Sequence, residues 1–441
     1  MDDLTQQKLI SDICENQKRV CGLDSDNHTL ADFVSMQDED LFAKTRACYA
    51  YIEDWKNKGT YNLRRKICSK CDNRVMVSDG SSNVQRSMIM MSSNSYLGLT
   101  SHPKVIEAGQ KAISKYGGGM SGSPVLNGTF DLLKELEERL AVLKGCEEAM
   151  VFSTGYSANL GAIAGLIRPK DVVLLDRLDH ASIIDGCKLA GGNFRTFKHN
   201  NMQSLEKQLE LCSDKFEGKL IAVDGVFSMD GDIVFLPEIL KLAECYGAKV
   251  MVDEAHATGV LGAHGRGTSE CFGLEGKVDM EMGTFSKALG ATGGFIASTK
   301  EVITYLRHYA RSYTFSASIT PSVVATVLAG LDVLREEPER REKLWSNIHY
   351  MHDNLKALGY DVYPSPPESA ILIITIGNEV KLRQMSRRIH ELGVFLSDVP
   401  YPAVPKDKGR FRFSLMATHT LDDLDETLDV LKTVGREFEV I

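Results

Sequence analysis

Short apolar runs recur through the middle of this chain, separated by stretches with helical spacing. The runs lie at 149–152, 172–175, 220–223, 249–252, 278–282 and 294–297. Runs this short, without strict alternation, are what strands covered on both faces look like. Between and before them, the pattern predicts helices at 103–116, at 131–144, from about Asn159, and at 236–246. In the second of these, Leu132, Leu133, Leu136, Leu140 and Leu143 form one apolar face. Pro103 opens the first, where its missing N–H is not needed. Strands alternating with helices predict an α/β chain built on a mostly parallel central sheet covered by helices. The polar residues gather at 153–159, 176–182, 224–231 and 253–256, each just after a strand. Open α/β sheets bind ligands at that edge.

The two ends of the chain read differently. Residues 1 to about 60 are polar and partly helical, with helical periodicity at 41–56 and aromatic anchors at Tyr51 and Trp55. Arg64 and Arg65 read as solvated charge. A hairpin is expected from 74–77 and 88–91 around the Gly/Ser-rich turn at 79–83. After Pro321 the pattern predicts helices at 321–335 and 340–358, a strand at 370–376, a helix at 381–392 and a strand at 410–415. A closing helix follows Thr420, with Asp423 as its capping partner. The organisation expected is an N-terminal arm (1–75), a large domain (76–325) and a smaller α+β C-terminal domain (326–441).

Composition narrows the function. The chain has 441 residues and a net charge of −9, which argues against nucleic acid as a partner. Anionic small substrates remain open, because a local site can be basic on an acidic protein. The opening MDDLTQQKLI is acidic and polar, unlike a signal peptide. No apolar run approaches the roughly 20 residues of a membrane span. The ten cysteines then read as free thiols in a reducing cytoplasm. Cys68 and Cys71 have redox or zinc spacing, but no second pair follows at a useful distance, and no metal site is expected.

The chemistry concentrates in the segment containing GTFSKALG. A lone lysine in a loop is ordinarily solvated. Lys287, however, follows a strand, has hydroxyls at Thr284 and Ser286, and is preceded in sequence by Asp253 at the end of another strand. That set suits pyridoxal phosphate: the lysine binds the aldehyde as a Schiff base and the acid keeps the ring nitrogen protonated. An acid at the end of a buried strand needs a cationic partner. His256, three residues on from Asp253, could donate to the ring's phenolic oxygen, though a lone histidine is more often a packing residue, and His180, after another strand end, could equally stack on the ring or do nothing there. The strand, small-residue loop and helix start around 152–159 form an anion site. Arg412 is suited to bind a substrate carboxylate in a bidentate manner. Arg410 lies on the same strand face and is the rival.

Together these segments resemble the α-oxoamine synthase family of fold-type I pyridoxal-phosphate enzymes, from about Tyr61 to Thr420. The motifs are SNSYLGL at 93–99, LNGTFDLLKELEERLA at 126–141, FSTGYSANLG at 152–161, DHASIIDG at 179–186, HNNMQSLE at 199–206, DGVFSMDGDI at 224–233, DEAHATGVLG at 253–262 and GTFSKALG at 283–290. Within the family, RSYTFSASITPSVVAT, EPERREKLW and PAVP…RFRFSLMATHT look more like the soluble bacterial serine-using branch than the glycine- or alanine-using ones.

The resemblance implies specific roles. Lys287 holds the cofactor and moves the proton. Asp253 pairs with the ring nitrogen, His256 contacts the phenolic oxygen, and His180 stacks and orients the acyl thioester. Gly155, Tyr156, Thr284 and Ser286 hold the phosphate. Ser316 reaches the phosphate of the neighbouring subunit, implying a homodimer with shared sites. Asn94 and Arg412 meet the amino-acid carboxylate, and Ser228 lies beside the cofactor.

The reaction implied is condensation of L-serine with palmitoyl-CoA to 3-ketodihydrosphingosine, CoA and CO2. A lipid product of this kind is consistent with peripheral membrane contact. The alternatives are glycine C-acetyltransferase or 8-amino-7-oxononanoate synthase, then a same-fold aminotransferase, then a non-catalytic scaffold subunit, which typically lacks the lysine. Two departures from the family pattern, Pro124 for arginine and Leu133 for histidine, fall in a segment that lines the substrate entrance in the family.

Overall fold

The computed structural model of the chain describes residues 24–78 and 84–441. The start of the polar arm and the 79–83 turn lie outside the described residues.

The helix Ala43–Asn57 buries Tyr51 and Trp55, which pack with Phe33 and Tyr61. Arg383 lies 4.4 Å from the centre of the Trp55 ring and donates to the Tyr51 hydroxyl at 3.2 Å. The arm therefore docks on the C-terminal helix Glu379–Glu391, which carries Arg383. Arg65 is not solvated charge as the sequence suggested. Its guanidinium stacks 3.8 Å from the Phe395 ring centre, donates to the Leu396 carbonyl and contacts His390 Nδ1.

Three antiparallel strands follow, β1 (Lys66–Ile67), β2 (Arg74–Ser78) and β3 (Gln85–Met90). The central sheet comprises β4 (Glu148–Phe152), β5 (Val172–Asp176), β6 (Asn193–Phe197), β7 (Lys219–Asp224), β8 (Lys249–Asp253), β9 (Met280–Thr284) and β10 (Gly294–Ser298), in the order 4-10-9-8-7-5-6. From β9 to β6 all pairings are parallel, while β10 runs antiparallel to both its neighbours. Side chains alternate between two cores, as the pleat requires. Val172, Leu174, Ile221, Val223, Val250 and Val252 pack with residues of the helices Met202–Cys212 and Leu236–Tyr246. Val173, Leu175, Leu220, Ala222 and Met251 pack with residues of Gly155–Leu166, Ala181–Ala190 and Lys300–Tyr309. Each such Val, Leu, Ile or Met side chain contributes roughly 1.5–3 kcal/mol on burial, and together they fix β5, β7 and β8 against the covering helices.

Beyond the helices Pro321–Glu336 and Glu339–Ala357, a second antiparallel sheet forms from β11 (Val362–Tyr363), β12 (Ile371–Gly377), β14 (Ser397–Val399) and β15 (Gly409–Ser414), in the order 11-12-15-14. The remaining strand, β13 (Val394–Phe395), pairs parallel with β3 and ties the early hairpin to the C-terminal part of the chain. The closing helix Leu421–Glu437 starts with the expected capping box between Thr420 and Asp423.

One helix starts earlier than the sequence pattern suggested. Gly155–Leu166 begins at Gly155, because the Thr154 hydroxyl accepts from Ser157 N at 3.0 Å and caps the helix there. The Ser/Thr/Gly run reads as a loop, yet half of it is the helix's first turn.

Candidate active site

The carboxyl ends of the parallel strands open into a cavity of about 280 Å³. Its lining includes Gly155, Tyr156, His180, Asp253, His256, Thr284, Ser286 and Lys287. Eight of the residues singled out from sequence therefore share one cavity.

Asp253 ends β8 and is 4% exposed. Its Oδ2 accepts from Asn159 Nδ2 at 2.6 Å and its Oδ1 from Ala255 N at 2.9 Å. Among the described residues no cation lies within ion-pair distance of it. The cationic partner expected for this acid is thus not found among the described side chains. His256 is buried, and its Nδ1 lies 2.7 Å from the Tyr96 hydroxyl. Burial, then the charges of Lys287 and Arg412, hold its pKa well below the usual histidine value. His180 is exposed toward the cavity, and burial of part of the ring lowers its pKa despite nearby Asp253.

Lys287 follows β9 in a loop fixed by hydroxyls. Thr284 Oγ1 lies 2.9 Å from Ser286 Oγ and 2.9 Å from the Gly293 carbonyl, and it accepts from Ser286 N at 3.3 Å. Burial lowers the Lys287 pKa to about 8, outweighing the opposing pull of Asp253 and Asp224. An amine in that range is a usable nucleophile and base near neutrality.

At the other side of the cavity the Gly155–Leu166 helix presents its first turn, where backbone N–H groups lack intrahelical partners. The Gly155 backbone packs so closely on Thr284 that a Cβ there would sit 2.9 Å from Thr284 Oγ1. The Tyr156 hydroxyl turns away to donate to Asp185, so Tyr156 offers an anion its backbone rather than its phenol.

Arg412, Asn94 and Ser228 do not line the cavity, but the Arg412 charge acts on Lys287 and His256; Arg412 on β15 donates to the Ser228 carbonyl at 2.6 Å, to Asn94 Oδ1 at 3.2 Å and to Ser414 Oγ at 2.8 Å. It is 8% exposed, and among the described residues no carboxylate lies within ion-pair distance of it. Arg410 is different: it is committed to Asp230 at 2.8 Å and to the Met229 carbonyl. Ser316 is half-buried and does not line the cavity. Neither departure from the family pattern lines it either. Leu133 is buried in a core with Leu136, Val151 and Phe285, and the Pro124 carbonyl accepts from Thr129. The exposed tip between them is Val125 and Leu126. Among the described residues no group of side chains could hold a metal ion, and Cys68 and Cys71 are free thiols.

Sequence reasoning missed Asn159, Ser182 and Asp224 as members of the site. Asp224 was findable: the runs LIAVD and VMVD both end in aspartate, and the strands pair Asp224 with Asp253. Asn159 and Ser182 lie inside helices, where nothing in the local pattern marks them.

Pyridoxal phosphate fits this cavity. Its lining brings together a buried carboxylate with no cation in ion-pair distance among the described residues, a lysine of lowered pKa, and a helix start packed against Thr284. The architecture is that of a fold-type I pyridoxal-phosphate transferase. The family model described as "Aminotransferase class I and II" matches residues 86–431.

Serine palmitoyltransferase of Sphingobacterium spiritivorum is 47% identical over 389 residues, 88% of this chain and 95% of that protein. 8-amino-7-oxononanoate synthase of Thermoanaerobacter pseudethanolicus is 41% identical over 390 residues, 88% of this chain and 97% of that protein. 4-hydroxy-2,2'-bipyrrole-5-methanol synthase PigH of Serratia is 44% identical over 415 residues, but the chain spans only 63% of that longer protein. A high-resolution structure of serine palmitoyltransferase with a PLP internal aldimine superposes with a TM-score of 0.87 at 36% identity, covering 91% of this chain and all of that one. The chain belongs to the class I and II aminotransferase family and, within it, to the α-oxoamine synthases.

Proposed function

We propose that the protein condenses an amino acid, L-serine, with an acyl-CoA, palmitoyl-CoA, and releases CoA, CO2 and the 2-amino ketone 3-ketodihydrosphingosine. The observation that bears most on this is Arg412. A buried guanidinium with no carboxylate in ion-pair distance among the described residues, beside Asn94 and close enough for its charge to act on Lys287, is suited to receive a substrate carboxylate.

When bound, pyridoxal phosphate supplies an electron sink for the charge left at the amino acid's Cα. The chain's own residues do the rest. Arg412 and Asn94 hold the carboxylate that leaves as CO2. Lys287 Nζ takes the proton from Cα, which its lowered pKa permits near neutral pH. Asp253 would hold a proton on the ring nitrogen, and His256 would donate to the phenolic oxygen. His180 would cover the ring and orient the thioester. The first turn at Gly155 and Tyr156, with Thr284 and Ser286, would hold the phosphate, and Ser228 would lie alongside. In this reading Ser316 serves the phosphate of a second subunit, so the working form is a homodimer. The division into arm, large domain and small domain belongs to the same proposal, as do a cytoplasmic location and a role in sphingolipid synthesis. Among the described residues no helix is long and apolar enough to cross a membrane.

The second reading is an 8-amino-7-oxononanoate synthase or glycine C-acetyltransferase. Relatives bearing the first of those names match at comparable identity. A panel of serine, alanine and glycine against acyl-CoAs of several lengths, read by free-CoA release, separates them. Serine with long-chain acyl-CoA should turn over fastest. If alanine or glycine supports faster CoA release, the serine assignment is wrong. Turnover only with a keto acid and no CoA release would instead indicate an aminotransferase.

A further inference from the structure

Asp253 and His180, which both line the cavity, are joined by a hydrogen-bond chain through two other residues. Asn159 Nδ2 lies 2.6 Å from Asp253 Oδ2 and 2.9 Å from Ser182 Oγ. Ser182 Oγ lies 2.6 Å from His180 Nδ1. Asn159 and Ser182 are both fully buried.

Donor counting gives each bond a direction. The Ser182 backbone N–H can only donate, and it points at His180 Nδ1 from 3.3 Å. Nδ1 is therefore an acceptor and has no proton. The Ser182 hydroxyl, facing the same nitrogen, donates to it. That hydroxyl then accepts one hydrogen of the Asn159 amide, and the second goes to Asp253. The Asn159 Oδ1 atom is buried with no partner. An orphaned buried carbonyl is costly. Turning the amide over would set that oxygen against the Asp253 carboxylate, so the orphan persists while Asp253 is ionised. A neutral Asp253 would release the amide. Its oxygen could then accept from Asp253 and draw the Ser182 hydroxyl away from His180.

We infer that Asn159 and Ser182 are positioning residues that tie the ionised form of Asp253 to the Nε2–H tautomer of His180, so that His180 presents a hydrogen-bond donor to the substrate. This rests on the reading of the cavity as a pyridoxal-phosphate site. Neither residue needs to touch the reacting atoms; each acts through its neighbour.

The test is nitrogen-15 NMR of histidine-labelled, pyridoxal-phosphate-loaded protein, with the His180 signals assigned by their loss in His180→Gln. Wild type should show an unprotonated Nδ1 and a protonated Nε2. Ser182→Ala and Asn159→Asp should each give a mixed tautomer. Ser182→Ala should lower kcat about tenfold, the scale of one hydrogen bond, with KM for the amino acid changed far less. Ser182→Thr, which keeps the hydroxyl, should restore both tautomer and kcat. A proton on Nδ1 in wild type overturns the inference outright. So does a Ser182→Ala protein with wild-type tautomer and wild-type kcat. Should Asn159→Asp not fold, the wild-type spectrum and Ser182→Ala still decide. Failure of every amino acid and acyl-CoA pair to turn over would refute the proposed reaction, but the tautomer measurement would still stand.

Discussion

Asp224 and Asp253 face each other across β7 and β8 as the last residues of two adjacent parallel strands. Asp253 accepts two hydrogen bonds, from Asn159 and from Ala255. The Asp224 carboxyl accepts from the His180 backbone N–H at 3.3 Å. Burial first, then the neighbouring Asp253 charge, pushes the Asp224 pKa well above the carboxylate range. Two adjacent acids at one strand edge thus sit in different surroundings, and burial beside Asp253 favours the neutral form of Asp224.

An amide can replace a neutral carboxyl but not an ionised one. Asp253→Asn should lower kcat/KM by roughly 10²-fold, the 2–3 kcal/mol of a charged hydrogen bond. Asp224→Asn should cost at least tenfold less. Steady-state kinetics on both variants checks this, and equal losses would mean that Asp224 is ionised too.

The lowered pKa of Lys287 makes a kinetic prediction. Below about pH 8 most of its amine is protonated, so the rate at which the cofactor-free protein captures added pyridoxal phosphate should rise about tenfold per pH unit. Above pH 8 the rate should level off. A lysine at its ordinary value would keep accelerating to about pH 10. Stopped-flow absorbance across pH 6–10 distinguishes the two, and Lys287→Ala should abolish covalent capture altogether.

Much of this site was readable because its parts are local. The run VMVD shows a buried strand ending in an acid, and GTFSKALG shows a lysine among hydroxyls and glycines. Helices with strong one-sided spacing, such as Asp131–Lys144 and Leu236–Tyr246, also fell where the pattern put them. Other parts were not legible, for physical reasons. Strand β6 lies at the sheet edge with mostly exposed side chains and has no apolar run to reveal it. The two-residue β13 is too short to show any period, and its partner β3 is some three hundred positions away. The hydrogen bonds between Asn159, Ser182 and His180 depend on how two helices sit at the cavity, which a linear pattern does not encode.

Arg410 and Arg412 face the same way from β15 but should fail differently. Arg412→Ala removes a buried cation that has no carboxylate partner among the described residues, so KM for the amino acid should rise about 10–100-fold while KM for the acyl-CoA stays put. Arg410→Ala leaves Asp230 without its partner and should lower stability with little effect on amino-acid KM. Kinetics with each substrate varied in turn, together with a urea melt of each variant, separates the roles. The opposite pattern would make Arg410 the carboxylate residue.

His199 is the clearest pH-dependent stabiliser. Its Nδ1 lies 3.1 Å from Asp176 Oδ1 and its Nε2 2.8 Å from Asp232 Oδ2. These two acids overcome the effect of burial and raise its pKa from 6.5 to about 10. The folded value is above the unfolded one. Its stabilising contribution is therefore complete below about pH 6.5 and disappears as pH rises through 10. His199→Gln keeps most of the volume against Phe227 but removes the charge. It should destabilise the protein by roughly 3 kcal/mol at pH 6, with the deficit shrinking steadily toward pH 10. Urea unfolding of wild type and variant at pH 6, 8 and 10 measures the difference, and a deficit that stays constant over that range would show that His199 is neutral in the folded protein.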